Sequence, residues 1–176
     1  MASRRPVNNK GFSLLELIIT IFVVSVGILG THSVVSYTLS AIGLSASRLT
    51  AAYLAQEGIE IVRNIRDTNW IEGGFVVWDS GLSEGSYEAD YQSDDLVPCS
   101  FPCDFNSNLR LLQIEGGFYR YSATGIDTSF KRKIIITDAG LPDFLTVTVS
   151  VEWEHKGKLQ QPVTVQENLY NWQQPS

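Results

Sequence analysis

The first third of the chain contains one long run without charged side chains. No Asp, Glu, Lys or Arg occurs among the 31 residues from Leu17 to Ser47, and His32 is the one histidine in that run. A bilayer core needs about 20 consecutive apolar residues in a helix, and residues 12–31 supply that length. The pattern therefore predicts a membrane-spanning helix near the N-terminus.

The next segment, residues 48–66, has the pattern of an amphipathic helix. Apolar or small residues recur there at spacings of three and four, at Leu54, Gly58, Ile61, Val62 and Ile65. No proline interrupts the chain between Val7 and Pro98, so we expect one helix over residues 12–66. Because glycine has no side chain, we expect a strand to approach this helix closely at Gly58, with a kink as the alternative.

Beyond Asp67, glycines separate short runs rich in β-branched and aromatic residues. The clearest run, residues 144–154, alternates strictly, so that Val147, Val149, Val151 and Trp153 share one face of a strand. The predicted strands are 75–79, 109–114, 118–123, 130–137, 144–154 and about 159–169, with a further short strand at 86–91 inside an otherwise irregular loop over 80–108. We predict an α+β fold in which an antiparallel sheet packs on the amphipathic half of the long helix.

Charge and composition narrow the function. The 176 residues carry 13 basic and 19 acidic side chains, a net charge of −6. Residues 1–11 hold three basic side chains and no acidic one, so the remainder stands at −9, which does not favour a nucleic acid as partner. Two cysteines and two histidines are too few for a four-cysteine zinc site or a histidine-based metal centre, and no P-loop, nucleophile elbow, dinucleotide-binding or zincin motif occurs. We therefore expect no enzymatic activity, no cofactor and no metal.

Three interpretations fit the N-terminal apolar run. It is a signal peptide cut near Leu39-Ser40-Ala41 or Ser45-Ala46-Ser47, an uncleaved single-pass anchor, or a prepilin helix. The run is longer than the 7–15 apolar residues of ordinary signal peptides. A carboxylate inside a membrane segment is costly and indicates function by default, so Glu16 favours the third interpretation over a plain anchor.

The string Lys10-Gly11-Phe12-Ser13-Leu14-Leu15-Glu16, followed at once by the apolar run, resembles the N-terminus of type IV prepilins and type II secretion pseudopilins. The resemblance implies cleavage by prepilin peptidase between Gly11 and Phe12 and methylation of the new amine of Phe12. It also implies that Glu16 pairs with the N-terminal amine of a neighbouring subunit during filament assembly. Residues 1–11 are then a leader, 12–66 a long helix whose part 12–32 spans the membrane and forms the filament core, and 67–176 an extracytoplasmic β-rich domain.

The apolar helix lacks the proline that many major pilins carry about twenty residues into the mature chain, and Gly27 and Gly30 lie near that place instead. The chain therefore looks more like a minor pilin of the pilus-modification type, with a type II secretion pseudopilin as the first alternative. A membrane-anchored extracytoplasmic binding domain that never polymerises is the second.

The implied partners are prepilin peptidase, other pilin or pseudopilin subunits contacted through the helix, the inner-membrane assembly platform and the lipid bilayer. The basic leader places the N-terminus of a single-pass protein on the cytoplasmic side of the cytoplasmic membrane. The resemblance implies that the assembled subunit lies in an extracytoplasmic, cell-surface filament.

Three further groups of residues have more than one interpretation. Cys99 and Cys103 form a disulfide on the exported side or stay free thiols. Four aspartates in the same region make a solvated acidic loop or, as the alternative, a calcium site: Asp90, Asp94, Asp95 and Asp104. The run Lys131-Arg132-Lys133 is interpreted as the protective charge of an edge strand, with DNA contact or an ion pair to a neighbouring subunit as alternatives. On a strand, the first and third of these side chains share one face and the second faces the other way.

Overall fold

The computed structural model describes residue 11 and residues 13–72, 77–107, 109–138 and 144–172. The chain forms two compact units, Met1–Gly43 and Leu44–Ser176. One helix, α1, contributes to both and covers Leu14–Glu72, 59 residues. It ends six residues beyond the predicted Arg66, because Asn69 is buried and its side-chain amide donates to the carbonyls of Trp78 and Ser80.

Nine strands follow α1 in the part of the chain that the structure describes. They are β1 Gly85–Glu88, β2 Val97–Pro98, β3 Gln113–Glu115, β4 Phe118–Arg120, β5 Ile126–Asp127, β6 Phe130–Asp138, β7 Phe144–His155, β8 Lys158–Leu159 and β9 Val163–Tyr170. The larger sheet has the order β2-β1-β6-β7-β9, with β8 paired to the end of β7, and a smaller sheet has the order β4-β3-β5. Every pairing is antiparallel, which confirms the predicted α+β fold.

The hydrophobic core lies between the second half of α1 and the larger sheet. From the helix it takes the predicted stripe, including Leu54 and Val62. From β7 it takes the alternate side chains predicted to share a face, Val147, Val149, Val151 and Trp153, which are almost completely buried. The close approach expected at Gly58 is confirmed, since a Cβ atom built there would lie 2.7 Å from Cγ1 of Val149.

Several predicted strand boundaries were wrong. Residues 78–81 form a turn rather than the end of a strand over 75–79, of which residues 75 and 76 lie outside the described part. Strand β4 ends at Arg120 instead of residue 123 because the next amide, that of Tyr121, donates to the Asp90 carboxylate. The region 80–108, expected to be mostly irregular, contributes both β1 and β2 to the larger sheet.

Candidate functional site

The first half of α1 exposes a continuous apolar surface. Between Leu14 and Val35 every Leu, Ile, Val and Phe side chain is at least half exposed. This part of the helix is long and apolar enough to cross a membrane, with a mean hydropathy of 2.3 over 18 residues, none of them buried. The core helix of a soluble protein would pass the same length and composition test, but it would be buried. The exposed helix is therefore consistent with anchoring in a membrane.

Four hydroxyl groups in the first half of this helix are satisfied without water. The side chains of Thr20, Ser25, Thr31 and Thr38 each donate to the carbonyl four residues earlier, at distances of 2.6–2.9 Å. An unsatisfied polar group is costly in hydrocarbon, and this local bond removes the cost. The surface remains compatible with lipid although it carries polar residues.

The helix begins immediately after the proposed cleavage site. The amide of Leu17 donates to the carbonyl of Ser13 at 3.1 Å, which closes the first turn. Glu16 lies in that turn and is exposed, where a carboxylate interacts favourably with the positive end of the helix dipole. Among the described residues, no Lys, Arg or His side chain lies within ion-pair distance of Glu16. Gly11 is described and exposed, whereas residues 1–10 and Phe12, the predicted site of methylation, lie outside the described residues.

A shallow apolar groove lies on one side of the same helix. It is lined by Val24, Gly27, Ile28, Thr31, His32 and Val35. A Cβ atom at Gly27 or Gly30 would meet nothing within 4 Å, so within this chain no other part of the described structure packs against these two glycines. His32, for which the sequence indicated a helix-surface position, is exposed.

A disulfide links Cys99 and Cys103. This disulfide loop and the residues just after it are attached to β6, since the ammonium groups of Lys131 and Lys133 donate to the carbonyls of Phe105 and Cys103, at 2.8 and 3.1 Å. Phe101, at the tip of the loop, is 95% exposed. Sequence analysis identified both the cysteines and the lysines but not this contact between them.

The four aspartates do not form a uniform solvated loop, because Asp90 is buried. Its carboxylate accepts hydrogen bonds from the amides of Gln92 and Tyr121 and from the hydroxyl of Ser93. These bonds occupy the oxygens that a calcium ion would need, and no three His, Cys, Asp or Glu side chains of the described residues come together in a way that could hold a metal. Asp90 organises the loop around it.

The interpretation of Lys131-Arg132-Lys133 as edge-strand charges was wrong. Strand β6 is an interior strand, paired on one side with β1 and on the other with β7. Arg132 is completely buried between the sheet and the helix. Its guanidinium donates to the carbonyls of Leu54 and Ala89 and to the carboxylate of Glu57. The run therefore does not form one basic surface for DNA.

A second buried polar group joins distant parts of the sequence. Glu88 is 4% exposed, and its two oxygens accept from the amide and from Nε of Arg110, at 2.6 and 2.7 Å. The guanidinium of Arg110 lies over the ring of Tyr121, 4.1 Å from its centroid. Burial raises the pKa of the Tyr121 hydroxyl above its usual value. Sequence reasoning missed this group because no short motif connects its three members.

Comparison with known proteins identifies the N-terminal segment. Residues 7–31 match the family model described as the prokaryotic N-terminal methylation motif, the signature of type IV prepilin-like proteins. The match covers 25 of the 176 residues, among them Gly11, Phe12 and Glu16. No curated protein and no solved structure matches the chain significantly. The motif confirms the resemblance noted in the sequence, supports a type IV pilin-like or pseudopilin precursor, and implies a structural subunit rather than an enzyme.

Proposed function

We propose that the chain is the precursor of a minor type IV pilin, a structural subunit of a pilus or pilus-like filament. The observation that carries this proposal is the coincidence of two features at one place. The methylation motif spans residues 7–31, and a helix with exposed apolar side chains on every side begins within it, at Leu14. Because the leader is cleaved on the N-terminal side of this helix, the helix stays in the mature subunit. There it can first anchor the subunit in the membrane and then pack in a filament.

The chemistry of assembly follows from the charges at the start of this helix. Cleavage between Gly11 and Phe12 creates a cationic amine on Phe12, which is then methylated and stays protonated. When helices pack together away from water, each buried charge needs a partner of opposite sign. Glu16 supplies the anion about one helical turn from that amine, and in the filament it pairs with the Phe12 amine of a neighbouring subunit. This pair sets the axial register between subunits.

The topology follows from the basic leader. Arg4, Arg5 and Lys10 stay on the cytoplasmic side of the bilayer, where the leader meets prepilin peptidase and the assembly platform. The β-rich part of the chain is then exported, which agrees with its acidity and with the disulfide between Cys99 and Cys103. After assembly this part covers the surface of the filament.

The first test is the N-terminus of the protein purified from native membranes, measured by intact mass and peptide sequencing. We expect a chain that starts at Phe12 with one methyl group on its amine. Substitution Gly11→Val places a branched side chain at the cleaved bond and should leave the precursor uncut, whereas Gly27→Val, within the same segment, should be processed normally. A native chain that starts at Met1, or near Ile42 or Ser47, would contradict the proposal and indicate an anchor or an ordinary signal peptide.

The second test separates assembly from anchoring. We expect Glu16→Gln to insert into the membrane and to lose its leader, but to be absent from sheared filaments, because the neutral amide cannot balance the amine of the next subunit. Thr20→Val, one turn further along the helix, is the matched control and should enter filaments. Normal incorporation of Glu16→Gln would remove the role that we assign to this carboxylate and favour an anchored domain that does not polymerise.

A type II secretion pseudopilin is the second candidate function. Helix α1 runs without interruption through the region where many major pilins have a proline, and this continuity is compatible with either a minor pilin or a pseudopilin. The filament with which the processed subunit co-purifies decides between them. Presence in long surface pili supports the minor pilin, and presence only in a short filament of the secretion apparatus supports the pseudopilin.

A further inference from the structure

The β-rich unit contains a pocket that the proposed assembly role does not use. It is open to solvent and has a volume of about 600 Å³, within the range of pockets that bind small molecules. Apolar walls come from Leu109, Leu111 and Tyr121, whose hydroxyl is buried, and the polar lining consists of Arg110, Gln113, Ser122, Asp127 and Lys131.

Arg110 is held in one orientation by contacts on two sides. Its Nε donates to Glu88 at 2.7 Å, and its guanidinium plane lies over the ring of Tyr121. Among the described residues, its two terminal nitrogens have no hydrogen-bond partner. A guanidinium with a fixed plane and two parallel free N–H groups is suited to bidentate recognition of a carboxylate.

Lys131 is fixed in a similar way. Its ammonium donates one hydrogen bond to the carbonyl of Phe105 and lies 5.0 Å from the centroid of the Phe105 ring. An ammonium has three donors, and the described residues accept from one of them, so two remain for a ligand. The pocket thus presents a second cation whose side chain is already ordered, which lowers the entropic cost of binding.

The pocket also contains a negative charge, the carboxylate of Asp127, which favours a ligand that carries hydrogen-bond donors in addition to an anionic group. Asp127 is exposed and accepts a hydrogen bond from the side-chain amide of Gln113 (Nε2) through one carboxylate oxygen. The Gln113 side chain is itself fixed, because its Oε1 accepts a hydrogen bond from the backbone amide of Ser122 at 2.8 Å. In the part of the chain that the structure describes, the second oxygen of Asp127 accepts no hydrogen bond, so it can accept one from a hydroxyl or an ammonium group of a ligand, and it would repel an anion that has neither.

We propose that this pocket binds a small carboxylate that also carries hydrogen-bond donors. The terminal nitrogens of Arg110 hold the carboxylate, Lys131 donates a further charged hydrogen bond to it, and Asp127 accepts from a neighbouring hydroxyl or amine. Sugar acids and amino acids both have this chemistry. The site lies on the unit that we place outside the membrane, so it gives the subunit a binding function in addition to its structural one.

The test uses the full-length chain in detergent micelles and saturation-transfer NMR, which detects weak ligands. The probes are D-glucuronate, L-glutamate and, as the neutral comparison, methyl glucoside. We expect saturation transfer to one or both carboxylates and none to the neutral sugar. Binding of glucuronate alone assigns the site to sugar acids, and binding of glutamate alone assigns it to amino acids. Transfer to neither carboxylate, or equal transfer to the neutral sugar, would overturn the proposal.

Variants connect the binding to these residues. Arg110→Lys keeps the charge but loses the planar pair of donors, and Lys131→Gln loses a charged hydrogen bond; each should weaken binding by about tenfold or more. Lys133→Gln is the matched control, because Lys133 lies on the same strand and also donates to a loop carbonyl, yet does not line the pocket. Equal losses in Lys131→Gln and Lys133→Gln, or unchanged binding in Arg110→Lys and Lys131→Gln with unfolding midpoints like that of the wild type, would refute the assignment.

Discussion

The hydroxyl of Tyr121 has an unusual environment for a tyrosine. It is buried and has no hydrogen-bond partner among the residues that the structure describes, and burial raises its pKa. A buried hydroxyl without a partner costs about 1–3 kcal/mol. We therefore expect Tyr121→Phe to leave the free energy of unfolding at pH 7 unchanged or to increase it, in contrast to most substitutions of buried residues.

The raised pKa of Tyr121 also gives a pH dependence with a definite sign. In the unfolded chain the hydroxyl ionises near pH 10, while in the folded chain it stays neutral to higher pH. Ionisation of Tyr121 therefore leaves the free energy of unfolding unchanged below pH 10. Above pH 10 the free energy of unfolding falls, by about 1.4 kcal/mol per pH unit, because the unfolded chain releases the proton and the folded chain keeps it. Urea unfolding at pH 8 and pH 11 should show a smaller loss for Tyr121→Phe than for the wild type. Tyr91→Phe, at a more exposed ring, controls for the removal of a phenol, and equal losses in all three proteins would contradict the prediction.

The run Lys131-Arg132-Lys133 shows what sequence can and cannot predict about single residues. Alternation along a strand correctly separates Arg132 from its two neighbours, because this depends only on local geometry. Whether β6 is an edge or an interior strand depends on its pairing with β1, more than 40 residues away. Burial of a charged residue contradicts its average preference, and it is possible here because three acceptors from α1 and the residue after β1 surround the guanidinium.

At the scale of elements, the long helix and strands β6, β7 and β9 could be predicted because each has a sustained periodic pattern. The short strands could not. Strand β4 stops where side chains of Asp90 and Gln113 take over the backbone amides of Tyr121 and Ser122, and such competition between side chains and backbone depends on tertiary contacts. The same reason explains why Glu88, Arg110 and Tyr121 were not recognised as a group in the sequence.

The packing of α1 on the sheet leads to a prediction for Gly58. Alanine is a better helix former than glycine by about 1 kcal/mol, but its Cβ would lie 2.7 Å from Val149 and 3.1 Å from Cδ of Arg132. Overpacking a core by one carbon costs about 1–3 kcal/mol. We therefore expect Gly58→Ala to lower the free energy of unfolding by up to about 2 kcal/mol, measured by urea unfolding in detergent.

A double-mutant cycle isolates this contact. Val149→Ala removes both Val149 methyl groups that the new Cβ would meet and leaves its contact with Cδ of Arg132, so Gly58→Ala should cost less stability in that background. Gln56→Ala, at an exposed position on the same helix, measures the general effect of a substitution there. If Gly58→Ala destabilises both backgrounds equally, the contact with Val149 is not the cause.

At the scale of the whole molecule, two different kinds of information come from the sequence. The N-terminal segment, residues 7–31, is recognised from a short motif, since the cleavage and charge pairing that we propose need particular residues at fixed spacing, and the family match covers just this part. The β-rich unit has no such motif, and its pocket depends on side chains from several elements that become neighbours only after folding. One helix connects the two kinds of region, with lipid-compatible residues in its first half and core residues in its second.

This division predicts that residues 44–176 fold without the membrane segment. In the described part of the chain, every buried apolar side chain lies at or after Ala51, so removal of residues 1–43 takes nothing from the hydrophobic core. We expect the truncated chain, exported so that its disulfide can form, to be soluble without detergent and to unfold cooperatively, with a midpoint close to that of the full-length protein by circular dichroism. A chain that begins at Ala55 is the control. It lacks Leu54, whose side chain lies in the core and whose backbone carbonyl accepts a hydrogen bond from Arg132, and it should be less stable by about 2–5 kcal/mol. Aggregation of the chain that begins at residue 44, or equal stability of that chain and the chain that begins at Ala55, would contradict the prediction that the hydrophobic core begins at Ala51.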